Sequence, residues 1–167
     1  MKTVVITGST RGIGFAMAEA FLKKGCRVVV SGRKNESVNA VVKKLSETYS
    51  GDHVAGYACD VTSYEDLQKL WDHSIRKFGS IDIWVNNAGI SNELALLPNL
   101  SKEEIRNVVE TNILGEIYGT QVALKGFEKL GAGAIYNMEG MGAKKGRMVD
   151  GLSIYGTTKS GLRFFND

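Results

Sequence analysis

Residues 3–14, TVVITGSTRGIG, decide the fold class of this chain. Residues 3–7 form a short apolar and β-branched run, which predicts a buried parallel strand. Glycines follow at positions 8, 12 and 14, and helical periodicity begins at Ile13 and continues to Lys24. A glycine-rich turn between a strand and a helix lets backbone N–H groups approach a pyrophosphate. The stretch therefore predicts a dinucleotide site, with a merely tight turn as the alternative.

The same alternation of strand-like and helix-like segments continues along the chain. Further apolar runs predict strands at residues 27–30, 54–58, 81–85 and 134–138. Helical spacing predicts helices at residues 36–49, at residues 64–78 after Ser63, and from a capping box at Ser101 to about Lys129. Such alternation requires crossover connections between parallel strands. We predict one α/β domain over residues 1–167, a doubly wound parallel sheet in three α/β/α layers with strand order 3-2-1-4-5.

Composition and charge narrow the classes of function. Apolar residues make up 43% of the chain and charged residues 23%, as in a soluble globular protein. The net charge of +3 is small and scattered, so we expect no nucleic-acid partner. The cysteines and histidines lack the spacing of a zinc site, and no apolar run reaches the ~20 residues of a membrane helix. We expect no metal, no membrane and, without a signal-peptide core, a cytoplasmic protein.

The segment after the second strand bears on the choice between NAD and NADP. A carboxylate there would accept a hydrogen bond from the ribose 2′-hydroxyl and repel a 2′-phosphate. This chain instead has Ser31-Gly32-Arg33-Lys34, with no acid before Glu36. Arg33 and Arg11 would bind a phosphate from two sides, unless both are solvated surface residues. We predict that NADP(H) is preferred and NAD(H) possible. Asp60, after the third strand, would either contact adenine or cap the next helix.

Four motifs in one order resemble those of the short-chain dehydrogenase/reductase family. They are the glycine turn, Asn86-Asn87-Ala88-Gly89 after the fourth strand, Thr111-Asn112 in the long helix, and Tyr155 with Lys159 in Tyr-x-x-x-Lys spacing. The resemblance implies a Rossmann-like, NAD(P)-dependent oxidoreductase that acts on a small-molecule carbonyl or alcohol substrate. The cofactor-binding residues predicted from the motifs and the strand ends are Thr7, Gly8, Ser9, Arg11, Gly12, Ile13, Gly14, Arg33, Asp60, Val61, Asn87, Ala88, Gly89, Tyr155 and Lys159.

Tyr155 and Lys159 are the predicted catalytic pair. They are four residues apart, so on a helix both side chains point from one face. A tyrosine with a pKa near ~10 is a poor acid–base catalyst at neutral pH, and a nearby cation would lower that pKa. Tyr155 would then protonate the substrate oxygen as hydride arrives, and the resemblance implies that Lys159 also holds the nicotinamide ribose. The alternative is an exposed tyrosine and lysine on an amphipathic helix.

Asn112 lies on the apolar stripe of the long helix and is the third predicted catalytic residue. The resemblance implies that it orders a water that relays protons to Lys159, whereas the alternative is a hydrogen-bonded core asparagine. Gly115 and Gly119 on the same helix suggest a close backbone approach. Because the family commonly dimerises through this helix, the resemblance implies a homodimer or homotetramer.

Members of the family usually have a catalytic serine after the fifth strand, and this chain lacks a serine there. Its sequence there is Asn137-Met138-Glu139-Gly140-Met141-Gly142-Ala143, similar to that of the chlorophyll b reductase branch of the family. The family's usual spacing between this serine and the catalytic tyrosine places Gly142 at the serine position. Alignment of Asn137 with the asparagine of the family's run places Gly140 there instead, and neither residue has a hydroxyl. Loss of one donor to the substrate oxygen costs ~10²-fold or more in rate. Ser153 or backbone N–H groups of this run would be the substitutes.

The chain also ends eight residues after Lys159, before the last strands of the family fold. We expect the helix that carries Lys159 to fray, and Leu162, Phe164 and Phe165 to require partners that would bury them. Weak nucleotide binding and poor turnover would follow, while a longer form would be active. The alternatives to an enzyme are therefore a catalytically weak nucleotide-binding protein and an interaction subunit.

Overall fold

The computed structural model describes residues 1–141 and 149–166. These residues form a five-stranded parallel sheet in the order β3-β2-β1-β4-β5. The predicted fold class and strand order are thereby confirmed. The central strand β1 pairs on one side with β2, where Val5 opposes Val29, and on the other with β4, where Val5 opposes Trp84. The strands are β1 Thr3–Ile6, β2 Arg27–Gly32, β3 Val54–Ala58, β4 Ile83–Asn86 and β5 Ala134–Asn137.

Helices connect the strands and cover both faces of the sheet. Nearly all the predicted bounds agree with the observed ones to within two residues. The helices are α1 Gly12–Lys23, α2 Asn35–Thr48, α3 Tyr64–Phe78, α4 Lys102–Val109, α5 Gly115–Leu130 and α6 Ser153–Asn166. One apolar cluster packs α1 and α2 on the sheet around Val4, Ile6 and Leu45, and the other packs α3 and α5 around Trp71 and Trp84.

The single long helix predicted from Ser101 to about Lys129 is wrong in one respect. A π-helical turn, Glu110–Leu114, separates α4 from α5. A π turn adds one residue per turn, so it shifts the apolar stripe in a way that 3.6-residue spacing does not predict. Asn112 lies in the middle of this turn and is buried.

The predicted helix caps are present, with one difference. Ser63 Oγ accepts from Asp66 N at 3.2 Å, and Ser101 Oγ accepts from Glu104 N at 3.1 Å. The Glu104 carboxylate does not complete a capping box with Ser101. It accepts instead from Glu93 N at 2.5 Å and so ties α4 to the loop after β4.

Gly115 and Gly119 of α5 face the interior of the chain. A Cβ at Gly115 would lie 2.8 Å from Val61 Cγ2, and one at Gly119 would overlap Asn86 Oδ1. The close approach predicted for this helix is therefore made to β4 and the segment after β3, and it gives no support to a subunit contact. Among the described residues, no helix has the length and apolarity needed to cross a bilayer.

The end of α6 also differs from the sequence prediction. The helix is regular through Asn166, because the Asn166 amide donates to Glu116 Oε1 at 3.2 Å and accepts from Asn137 Nδ2. Leu162 is buried as expected, whereas Phe164 is 88% exposed.

Candidate active site

A cleft of about 860 Å³ lies at the carboxyl ends of the strands, where ligands bind in open α/β sheets. It extends from the glycine turn after β1 to α6. The predicted residues that line it are Gly8, Arg11, Gly12, Ile13, Gly14, Arg33, Asp60, Val61, Asn87, Ala88, Gly89, Tyr155 and Lys159. Thr7, Ser9 and Asn112 do not line it. The described residues bring together no group of three His, Cys, Asp or Glu that would hold a metal ion.

The glycine turn packs directly against the segment that follows β4. Gly8 has φ +62°, and a Cβ there would lie 2.7 Å from Ala88 Cα. A Cβ at Gly14 would lie 2.5 Å from Asn87 Nδ2 and 2.6 Å from Gly8 O. A side chain at either position would therefore displace the turn or the residues that follow β4. This bare backbone is the form that a phosphate-binding turn requires.

Thr7 and Ser9 build the frame behind the turn. Thr7 Oγ1 accepts from Asn87 N at 3.0 Å and from Ala88 N at 3.1 Å, while Asn87 Nδ2 donates to Thr7 O and Gly8 O. Ser9 Oγ donates to Ile6 O at 2.7 Å and accepts from Ser31 N at 2.9 Å. Both hydroxyl groups therefore have hydrogen-bond partners within the protein. The two residues hold the turn in place without lining the cleft.

Basic side chains border the end of the cleft next to β2. Arg11 and Arg33 are exposed and both line the cleft, together with Lys34. Asp60 also lines it, and its carboxylate accepts from Thr62 N at 3.0 Å and Thr62 Oγ1 at 2.8 Å. The interpretation of Asp60 as a helix cap is wrong, because Ser63 caps α3.

Tyr155 and Lys159 lie together at the other end of the cleft. Lys159 is only 5% exposed, and its Nζ donates to Met138 O at 2.7 Å. Burial lowers the pKa of Lys159, and the Glu116 carboxylate opposes that change. A Cβ at Gly140 would overlap Tyr155 Oη and lie 3.1 Å from Lys159 Cγ. Of the two positions considered for the missing serine, Gly140 therefore adjoins the phenol, and Gly142 lies outside the described residues.

Asn112 holds the loop after β4 against α6. Its Oδ1 accepts from Ile90 N at 2.9 Å, and its Nδ2 donates to Ile90 O at 2.9 Å and Thr158 Oγ1 at 3.0 Å. Both amide protons are thus used within the protein, as in the core-asparagine alternative. The proton-relay role stays a prediction.

Comparison with known proteins identifies the family. The sequence model of the family described as short chain dehydrogenase matches residues 2–167. The chain belongs to the short-chain dehydrogenase/reductase family. A probable chlorophyll(ide) b reductase of Arabidopsis thaliana is 39% identical over 99% of this chain, and a second chlorophyll(ide) b reductase of that plant is 40% identical over 93%. The chain spans only 36% and 45% of the lengths of those two proteins.

Solved structures of the same family have the same fold. An actinorhodin polyketide ketoreductase with NADPH superposes with a TM-score of 0.88 at 33% identity, over 98% of this chain and 62% of its own. A 3-ketoacyl-(acyl-carrier-protein) reductase from Brucella melitensis complexed with NADH gives a TM-score of 0.87 at 30% identity, over 96% of this chain and 65% of its own. The structural relatives of this dehydrogenase/reductase chain therefore include one that binds NADPH and one that binds NADH.

Glu116 is a site neighbour of this short-chain dehydrogenase/reductase that the motifs do not indicate. It is only 4% exposed, and Asn166 Nδ2 donates to its carboxylate. Burial raises the pKa of Glu116, while the Asn166 hydrogen bond and the Lys159 charge lower it. The Lys159 charge acts on Glu116, which places this carboxylate beside the candidate active site.

Asn92 is the second residue that the motifs do not indicate. It lies in the loop after β4 and is only 3% exposed. Its Oδ1 accepts from Tyr155 N at 3.0 Å, and its Nδ2 donates to Gly151 O at 2.7 Å. The side chain thus bonds to the backbone of a predicted catalytic residue far away in the sequence.

Proposed function

We propose that this chain carries the cofactor site and the proton-transfer pair of an NADP(H)-dependent oxidoreductase that interconverts a carbonyl and an alcohol. The observation that carries the proposal is that the glycine turn, Tyr155 and Lys159 line one and the same cleft. A turn that suits a dinucleotide and a tyrosine–lysine pair that suits proton transfer, together in one cleft, are the two parts that carbonyl reduction by hydride transfer requires.

The described residues fit a dinucleotide at each part of the cleft. The side-chain-free turn at Gly8 and Gly14 suits the pyrophosphate, and Arg11 and Arg33 suit a 2′-phosphate on the adenine side. Asp60 lines the same side and suits the adenosine. The nicotinamide supplies or accepts the hydride when the cofactor is bound.

Tyr155 would exchange a proton with the substrate oxygen. For this role its phenol must lie where it reaches both the substrate oxygen and a group that assists the proton transfer. Lys159 lies four residues further along α6 in a buried position, and its side chain and the phenol line the same cleft. The hydrogen bond to Met138 O holds Lys159 Nζ at the cleft.

The second candidate is a nucleotide-binding protein of the same fold with little catalytic activity. Gly140 favours it, because this residue beside Tyr155 Oη brings no hydroxyl to the substrate oxygen. Loss of one such donor lowers rates by about 10²- to 10³-fold. The two candidates share the cofactor and differ in turnover.

Cofactor binding and turnover, measured on the same preparation, separate the two candidates. NADPH binding is measured by titration, and NADPH oxidation with a panel of aldehydes, ketones, quinones and chlorophyll(ide) b. The last is included because chlorophyll(ide) b reductases are the relatives noted above. We expect binding, and turnover with at least one carbonyl that is lost in Tyr155→Phe. Binding without oxidation by any compound favours the second candidate, and no binding contradicts both.

A further inference from the structure

We infer that Asn92 is a positioning residue, which caps the helix of Tyr155 from outside and fixes that helix to the loop after β4. The inference concerns the proposed oxidoreductase and rests on Tyr155 as its acid–base residue. Neither the family motifs nor the glycine turn include Asn92.

The first turn of α6 needs such a cap. The first N–H groups of a helix have no partner within the helix, and a side-chain oxygen at the preceding residue usually accepts from the third of them. The residue before α6 is Leu152, whose side chain has no acceptor. The third N–H belongs to Tyr155, and it donates to Asn92 Oδ1 at 3.0 Å. The cap of α6 is therefore supplied by a different segment.

The amide group of Asn92 makes the connection rigid. Its Nδ2 donates to Gly151 O and to Glu93 O, both at 2.7 Å, so both ends of the buried side chain are bonded. Ala95 N also donates to Gly151 O at 3.4 Å. Gly151 has φ +82°, and a Cβ there would lie 2.9 Å from Ala95 N. The turn before α6 and the loop therefore meet backbone to backbone.

The loop is fixed against α6 at a second point as well. Asn112 bonds both backbone groups of Ile90 and also the Thr158 hydroxyl. Tyr155 thus lies between two asparagine contacts, one at each end of residues 90–92. Ile90, Ser91 and Leu152 line the cleft beside Tyr155. A displacement of this loop would consequently move the backbone of Tyr155 relative to the substrate.

Removal of the cap should lower kcat and leave NADPH binding unchanged. Misplacement of a reacting group by about 1 Å costs up to about 10²-fold in rate. We therefore expect kcat of Asn92→Ala to fall about tenfold or more. The Asn92 side chain bonds to Tyr155, Gly151 and Glu93, and none of these belongs to the predicted phosphate-binding turn or its two arginines. The Kd for NADPH should therefore stay within about twofold of that of the wild type.

The experiment compares Asn92→Ala, Asn92→Asp and the matched control Asn99→Ala, which removes an exposed asparagine from the same connection. Three quantities are measured: kcat and KM for the best carbonyl, the Kd for NADPH, and amide hydrogen exchange in the first turn of α6. Asn92→Asp keeps an acceptor for Tyr155 N and loses the donor to Gly151 O. It should therefore retain slow exchange at α6 and recover part of the kcat that Asn92→Ala loses.

The outcomes decide between positioning and a merely local role. Fast exchange in α6 and a reduced kcat in Asn92→Ala, with neither change in Asn99→Ala, support the inference. Wild-type kcat or wild-type exchange in Asn92→Ala overturns it. If Asn92→Ala does not fold, Asn92→Asp is the deciding variant. Because it keeps an acceptor for Tyr155 N, fast amide exchange in the first turn of its α6 would contradict the capping role. A wild type without turnover contradicts the proposed oxidoreductase instead, and the exchange comparison then decides on Asn92 alone.

Discussion

Tyr155 Oη lies against the backbone of Gly140, so closely that a Cβ on Gly140 would overlap it. The phenol thus occupies space that a side chain at this position would need. A serine at residue 140 would have to displace the tyrosine or move Lys159, whose Cγ lies 3.1 Å from the same point.

Gly140→Ser should therefore lower activity, although it adds the hydroxyl that the family pattern has nearby. We expect kcat/KM for a carbonyl to fall about tenfold or more, because the phenol moves away from its productive position. Gly140→Ala is the matched control, since it adds the Cβ without the hydroxyl, and it should be impaired to a similar degree. A serine variant more active than the wild type would contradict the steric account.

Arg33→Ala should weaken NADPH binding and leave NADH binding nearly unchanged. Loss of one charge-assisted hydrogen bond to a phosphate lowers affinity about 10- to 100-fold. The measurement is a titration of both cofactors against the wild type, Arg33→Ala and Arg76→Ala, which removes an exposed arginine from α3. Equal wild-type affinities for the two cofactors would contradict the predicted NADP(H) preference.

Glu116→Gln should move the alkaline limb of the pH–rate profile to lower pH. Burial lowers the pKa of Lys159 and Glu116 raises it, so loss of the carboxylate lowers that pKa further. Lys159 then loses its proton, and with it the positive charge at the cleft, at a lower pH. Among the described residues, Glu139 also acts on Glu116, and Glu139 forms an ion pair with Arg163. Glu128→Gln, an exposed change on the same helix, should leave the profile in place.

Stability gives a test of Glu116 that needs no substrate. Its pKa is raised in the folded protein above the ordinary 4.5, chiefly by burial, so the folded state holds this proton more tightly than the unfolded state. Stability from this group is therefore present below about pH 4.5 and is lost as the pH rises through the folded pKa. As the pH rises from about 4.5, the free energy of unfolding measured in urea should therefore fall less in Glu116→Gln than in the wild type. Parallel pH dependences would contradict this.

Gly14→Ala should abolish dinucleotide binding, whereas Gly156→Ala should not. A Cβ at Gly14 meets Asn87 Nδ2 and Gly8 O within 2.6 Å, and a Cβ at Gly156 meets nothing within 4 Å. Gly156 lies within α6, so alanine there should stabilise the fold by about 0.5–1 kcal/mol. NADPH titration and thermal unfolding of both variants measure these effects. Retention of wild-type affinity in Gly14→Ala would show that the turn is not the phosphate site.

The fold could be predicted because its signals are local. Each strand is a short apolar run, and Ser63 and Ser101 mark helix starts within three residues of the N–H groups they cap. The polar contacts of the site depend on tertiary structure. Asn92 and Tyr155 are 63 residues apart, and no spacing relates an asparagine in a loop to a helix it caps. The π turn at Asn112 likewise occurs together with bonds from Asn112 to Ile90 and Thr158, residues that lie far from it in the sequence.

Transfer of deuterium to a carbonyl substrate from NADPH that carries deuterium at both hydrogens of nicotinamide C4 tests the central claim most directly. Mass spectrometry of the alcohol formed by the wild type should show one deuterium per molecule. Tyr155→Phe should bind NADPH with similar affinity and form this product about 10²- to 10⁴-fold more slowly, as expected for loss of a general acid. Saturable NADPH binding without deuterium in any product, or equal rates in the wild type and Tyr155→Phe, would contradict the account.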